Sequence, residues 1–158
     1  MASRKNVQNT HISAEIRQLH GAILDIVAVI NQPQRDDALL KEAGVALDRA
    51  LFPLLVLIER LGPIGVVDLA DRVGRDHSTV SRQVAKLEEL GLVERREGRA
   101  DRRVREAMPT RKGRAIAEAL DAARERMAAT IFATWSERDF SDLVRLVRRF
   151  ADDLSALA

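Results

Sequence analysis

The 158-residue chain contains no cysteine and no tyrosine, and its aromatic residues are four phenylalanines and one tryptophan. Without a thiol there is no disulfide framework, no thiolate zinc or iron–sulfur site, and no cysteine nucleophile or redox sensor. An aromatic share of 3% argues for helices over a β-sandwich, whose strands draw on aromatic and β-branched residues. Aliphatic runs such as Leu54 to Ile58 fall far short of the roughly 20 apolar residues of a membrane span. Met1 to Asn6 have no apolar core behind them, so neither a signal peptide nor a membrane segment is expected. A cytoplasmic location is the expectation, which the lack of cysteine permits. His11, His20 and His77 are scattered and lack the paired spacing of a metal-binding helix, so no metal and no cofactor is expected. There is no glycine-rich phosphate loop and no serine set in a nucleophile elbow. With no convergent set of reactive groups, an enzyme is not expected.

What is present suits one compact body with appended helices, because domains usually hold about 100 to 150 residues. The net charge is only +2, but it is unevenly spread. Residues 1–62 carry seven basic and seven acidic side chains, residues 63–113 carry twelve and nine, and residues 114–158 carry seven and eight. Within the middle part, residues 95–114 hold nine Arg or Lys against three acids, Glu97, Asp101 and Glu106. Such a patch attracts polyanions.

The first periodic element places Ile12, Ile16, Leu19, Ile23, Ile26 and Ile30 at alternating spacings of four and three, a coiled-coil-like seam that Asn31, Gln32 and Pro33 end. The last element repeats the pattern with Phe140, Leu143, Val147, Phe150, Leu154 and Leu157. Both are read as long helices with a single apolar stripe. Ser136 with Asp139 three positions on resembles a capping box, and Trp135 and Phe140 occupy the places of a hydrophobic staple. Between Thr110 and Trp135, Ile116, Leu120, Ala123, Met127 and Ile131 recur at helical spacing, with Thr110 as the N-cap. Residues 46–61 are apolar almost all round, as in a helix buried on most sides whose first part Pro53 should distort. A shorter helix is expected near residues 36–43.

The chemistry lies between Gly62 and Gly113. Val66, Leu69, Ala70 and Val73 form one short apolar stripe, and Gly74 stands where a left-handed C-terminal residue belongs. Asp76 is a good N-cap for a second helix, in which Val80, Val84 and Leu87 face inward at i, i+4 and i+7, and Gly91 supplies the stop. This is helix, tight turn, helix. The outward face of the second helix carries Ser78, Thr79, Ser81, Arg82, Gln83 and Lys86, hydrogen-bonding or cationic side chains with no carboxylate among them. Serine and threonine near a helix N-terminus can meet phosphates with the help of exposed N–H groups. Arginine and glutamine one turn on suit bidentate contacts with base edges. With Asp76 and His77, which can touch phosphate, these eight residues make up the expected recognition helix. After Gly91, Leu92 to Glu97 and Arg102 to Met108 read as two strands around a basic tip, a hairpin favoured more by its position than by its weak alternation.

These residues resemble the MarR family of winged helix-turn-helix transcriptional regulators over nearly the whole chain. The strongest piece is the wing pattern of Asp, any residue and Arg, followed by Thr and a helix-opening Gly: Asp101, Arg103, Thr110 and Gly113. The second is the run Leu87, Glu88, Glu89, Leu90, Gly91, Leu92, Val93, Glu94 and Arg95, similar to the family's exit from recognition helix to wing. Pro109 stands where leucine is usual. The resemblance implies a mainly α fold with a small β-hairpin wing and N- and C-terminal dimerisation helices. It implies a homodimer that reads a palindromic double-stranded DNA, often with a small-molecule effector site where the parts meet, and a repressor released by that effector. It also implies that Arg102 enters the minor groove while Asp101 and Arg103 brace the tip, with Arg95 and Arg99 completing the wing's contacts.

The expected division is a dimerisation segment over 1–45, a DNA-binding domain over 46–113 and a second dimerisation segment over 114–158. Dimerisation is assigned to Ile12, Ile16, Leu19, Ile23, Phe140, Leu143, Val147, Phe150, Leu154 and Leu157. Two apolar stripes at opposite ends of the chain ask for a partner surface, although such stripes are more often internal core. A winged-helix module for protein or RNA contacts is the alternative from another class.

Overall fold

The structure is a computed structural model that describes residues 2–98 and 103–157, with side chains described from residue 13 onward. Among the described residues, seven helices and three strands follow one another in the order α1 (Ala2–Ile30), α2 (Pro33–Ala43), α3 (Phe52–Leu61), β1 (Ile64–Gly65), α4 (Val66–Val73), α5 (His77–Glu89), β2 (Val93–Glu97), β3 (Arg105–Pro109), α6 (Arg111–Phe132) and α7 (Glu137–Ser155).

Helix α3 explains the run of apolar residues around it. One side joins Leu54, Leu55 and Ile58 to Leu69 and Ala70 of α4, Val80, Val84 and Leu87 of α5, Leu92 just before the sheet, and Val93 and Ala107 within it. Another side joins Phe52 and Val56 to Leu39 and Leu40 of α2 and Leu120 and Ala123 of α6. The helix is thus the shared wall of two cores, each fully buried Leu or Ile contributing roughly 1.5–3 kcal/mol. It begins at Phe52 and not at residue 46. Pro53 lies in its first turn, where a missing N–H breaks no helical hydrogen bond, so proline sets the start of this helix without distorting it. Before it, Asp48 Oδ1 accepts from Ala50 N at 2.7 Å in a local turn.

The sheet has the order β1-β3-β2, antiparallel throughout. The expected hairpin is β2 and β3, registered Val93 to Pro109 and Glu97 to Arg105. The third strand, Ile64–Gly65, is too short to show a period, and it exists because Ile64 and Gly65 lie against Ala107 and Glu106. Helix α2 starts at Pro33, earlier than the pattern suggested, and Gly44 closes it in the left-handed conformation. Helix α6 stops at Phe132, three residues short of Trp135. Ser136 caps α7 as expected, accepting from Asp139 N at 3.1 Å. Phe132 stands edge-on to both Trp135 and Phe140, with centroids 5.3 and 4.8 Å away, so the staple includes a third ring.

The end helices pack little of themselves inside the chain. No residue of α7 is buried, and Ile16 and Ile30 on α1 are each 60% exposed. The exposed apolar residues of α1 also include Leu24, Val27 and Val29, and those of α7 include Val144 and Leu146. Each apolar face is therefore wider than one stripe. The opposite face of α7 carries Arg–Asp pairs at i,i+4 such as Arg148–Asp152 at 2.7 Å, each worth a few tenths of a kcal/mol.

Candidate nucleic-acid interface

The helix-turn-helix is built by local chemistry. Gly74 adopts φ 60° and ψ 36°, and its N–H donates back to Ala70 and Asp71 carbonyls, ending α4 in a left-handed cap that L side chains resist. Two residues later Asp76 opens α5. Its Oδ2 accepts from Thr79 N at 2.9 Å, from Thr79 Oγ1 at 3.1 Å and from the Ser78 hydroxyl. Those bonds favour the ionised form, led by the Ser78 hydroxyl and then the Thr79 amide, and hold the Asp76 carboxyl below its ordinary pKa. Val80, Val84 and Leu87 are fully buried and press the helix onto α3 and α4.

The outward residues then divide by what already engages them. Asp76, Ser78 and Thr79 are joined in the cap. Thr79 Oγ1 also accepts from Arg82 Nη2 at 3.3 Å, which lays the exposed Arg82 along the helix surface one turn on. Lys86 Nζ lies 2.8 Å from Glu89 Oε2. His77, Ser78, Arg82 and Lys86 are exposed, while Thr79, Ser81 and Gln83 are half-buried. Gln83 turns its Oε1 out of solvent, with no hydrogen-bond partner among the described residues.

In the wing, Arg103 is exposed, whereas Arg99, Asp101 and Arg102 lie outside the described residues. Arg96 and Arg105 are also exposed on the two strands, two cations that reading by motif left out. Arg95 differs from its neighbours: its side chain is only 18% exposed, and Nε lies 3.3 Å from Glu88 Oε2.

Thr110 and Gly113 join the recognition helix to α6. Thr110 Oγ1 donates to Gly91 O at 2.7 Å and accepts from Gly113 N at 3.0 Å, while Thr110 N donates to Leu92 O at 3.0 Å. A Cβ on Gly113 would stand 2.0 Å from Leu92 O, so only glycine allows this approach. Lys112 Nζ donates to Leu90 O at 3.1 Å. A cation in the first turn of a helix opposes its own helix dipole, but here it meets the carbonyl of Leu90, the residue that ends α5. That misplacement was the available signal for Lys112, which the sequence reading passed over.

Of the expected dimerisation residues, Ile16, Leu19, Phe140, Val147, Phe150, Leu154 and Leu157 are exposed, and Ile23 and Leu143 are half-exposed. The Ile12 side chain is outside those described. Among the described residues no His, Cys, Asp and Glu group could hold a metal ion, and no helix is long and apolar enough to cross a membrane.

Three packed helices with a β-hairpin beside an exposed second helix define a winged helix-turn-helix. The MarR family model matches residues 47–104, which run from α3 through α4 and α5 to β2. A MarR family protein from Bacillus stearothermophilus is 22% identical, with a TM-score of 0.75 over 90% of this chain and 97% of that one. The transcriptional regulator BldR from Sulfolobus solfataricus is 25% identical, with a TM-score of 0.62 over 85% and 96%. Streptococcus pneumoniae FabT, solved in complex with DNA, is 19% identical, with a TM-score of 0.62 over 92% and 99%. No curated protein matches the sequence. Residues 47–104 thus match the MarR family model, and the chain as a whole has the winged-helix fold of solved MarR family proteins.

Proposed function

We propose that the chain forms a homodimer through α1 and α7 and that the dimer represses transcription by occupying an inverted repeat in duplex DNA. The observation that carries this reading is the pairing of one exposed, carboxylate-poor recognition face with two end helices whose apolar faces, among the described residues, stay largely exposed. Exposed apolar area of that extent marks an interface. Two recognition helices related by a two-fold axis then suit half-sites about one helical turn apart. In this reading residues 1–45 and 114–158 hold the dimer, and 46–113 bind DNA. His77, Ser78, Ser81, Arg82, Gln83 and Lys86 face the major groove, with Asp76 and Thr79 shaping the helix start. Arg99, Asp101, Arg102 and Arg103 serve the wing. FabT, of the same fold, was solved with DNA, which supports the assignment. The protein works where the DNA is, in the cytoplasm.

A cavity of about 350 Å³ between the end of α1, α2 and α6, lined by Ile30, Leu39, Met127, Ile131, Arg35 and Arg124, suits a small effector that releases the DNA. Arg124 is tied to Asp121 at 2.6 Å, and Asp121 to Arg60 of α3 at 3.0 Å. A ligand that drew Arg124 away would reach the winged unit through that pair. An effector acts only as far as it prefers one conformation; with no cysteine it does so without thiol chemistry.

The test is fluorescence anisotropy on a palindromic duplex selected from random sequence and on its scrambled counterpart, over a range of salt. Preference for the palindrome is expected, with affinity falling at a slope of about −0.9 per phosphate contact in log–log form. Equal binding to both, or tighter binding to single-stranded RNA, would favour the interaction-module alternative.

A further inference from the structure

Arg95 stands among the arginines of a basic wing, yet the structure turns its side chain away from solvent and onto the recognition helix. Besides the approach of Nε to Glu88 Oε2, its Nη2 donates to Ser81 O at 3.5 Å. Ser81 and Glu88 are seven residues apart, so they lie on one face of α5 two turns from each other, about 10 Å along the axis. One planar guanidinium thus touches the recognition helix at two levels, while its own backbone is held in the wing: Arg95 pairs with Ala107 in the β2–β3 ladder, and its carbonyl accepts from Arg105 Nη2 at 3.4 Å. The side chain of the next residue, Arg96, is 66% exposed and pairs with Glu94 of its own strand. The contrast separates an arginine that can meet phosphate from one occupied inside the protein.

We infer that Arg95 is a positioning residue, a strut through Ser81 O and Glu88 that sets the angle between recognition helix and wing, and not a phosphate contact. The inference rests on the DNA-binding reading for its consequence, because a dimer that engages major and minor grooves together needs that angle held. The contact with Ser81 O is a hydrogen bond and that with Glu88 an ion pair, and a rigid planar guanidinium holds both places at once, whereas the ammonium of lysine is one point charge on a flexible stem.

Three variants of the full chain, Arg95→Ala, Arg95→Lys and Glu88→Gln, test it. In DNA-free protein, amide hydrogen exchange over residues 93–97 and 105–109 should rise several-fold in Arg95→Ala, with the melting of α3 and α6 little changed. Unchanged exchange overturns the strut, whatever happens on DNA. On the selected palindrome, Arg95→Ala should bind about tenfold more weakly with the salt slope of the unmodified protein. A slope smaller in magnitude by about 1.8, which is 0.9 for each protomer of the dimer, would make Arg95 a phosphate contact and overturn the inference. Arg95→Lys should stay weak, and full affinity for it would count equally against the strut. Glu88→Gln removes a negative charge beside DNA, so simple electrostatics predicts tighter binding, whereas a strut predicts weaker binding; tightening overturns it. If the unmodified protein prefers no duplex, the functional reading fails, and the exchange measurement still decides the strut.

Discussion

Replacing Gly113 by alanine should destabilise the protein even though alanine is the better helix former. Gly113 is the third residue of α6, and the propensity difference in a helix favours alanine by up to about 1 kcal/mol. Against that stands the Leu92 carbonyl, 2.0 Å from where the methyl carbon would be, with Leu55 Cδ1 a further 3.3 Å contact. Relief needs a retreat of roughly 1.5 Å to ordinary contact. The carbonyl cannot give way alone. It accepts from Thr110 N at 3.0 Å, Leu92 N donates to Leu87 O at 2.9 Å, and Leu92 itself is buried. Overpacking costs about 1–3 kcal/mol, and each hydrogen bond broken in moving costs about 0.5–1.5 kcal/mol more. The net expectation is a loss of about 2–4 kcal/mol, or roughly 5–15 °C in Tm for a chain of this size. Urea unfolding followed by circular dichroism, at matched protein concentration because a dimer's stability depends on it, measures the midpoint shift. A midpoint equal to or above that of the unmodified protein would refute the close approach and leave only the propensity effect.

Leu154→Glu puts a charge on the apolar face of α7, where Leu154 is half exposed in the single chain, and should yield a monomer by light scattering at micromolar concentration; a monomeric unmodified protein would sink the dimer itself. Arg82→Ala should cost about 1–3 kcal/mol more on the preferred duplex than on random DNA, as a base-edge contact does, and equal losses would reassign Arg82 to the backbone. The depressed Asp76 pKa means that its cap is fully present above the ordinary aspartate range and is lost as pH falls through the lower folded value. Asp76→Asn keeps a capping oxygen without a titrating group, so the acid-side slope of stability below about pH 4 should flatten in that variant; an unchanged slope would detach the cap from acid unfolding.

Much of the winged unit was legible because its signals are local. Gly74, Asp76, Val80, Val84, Leu87 and Gly91 mark a turn, a cap, an inward stripe and a stop within eighteen positions, and each acts on backbone at most a few residues away. The caps at Thr110 and Ser136 were readable for the same reason. What the sequence could not carry depends on residues far along the chain. Ile64–Gly65 becomes a strand only because β3 lies beside it. That residues 46–51 stay outside α3, and that the helix becomes the shared wall of two cores, shows only once Phe52 and Val56 lie with Leu120 and Ala123 of α6. Gly113 is demanded by a carbonyl twenty-one residues earlier, at Leu92. Composition alone marks Arg95 as one more cation of a basic wing, and only the tertiary fold turns it inward onto Glu88, since the side chain's partner depends on the angle at which strand meets helix.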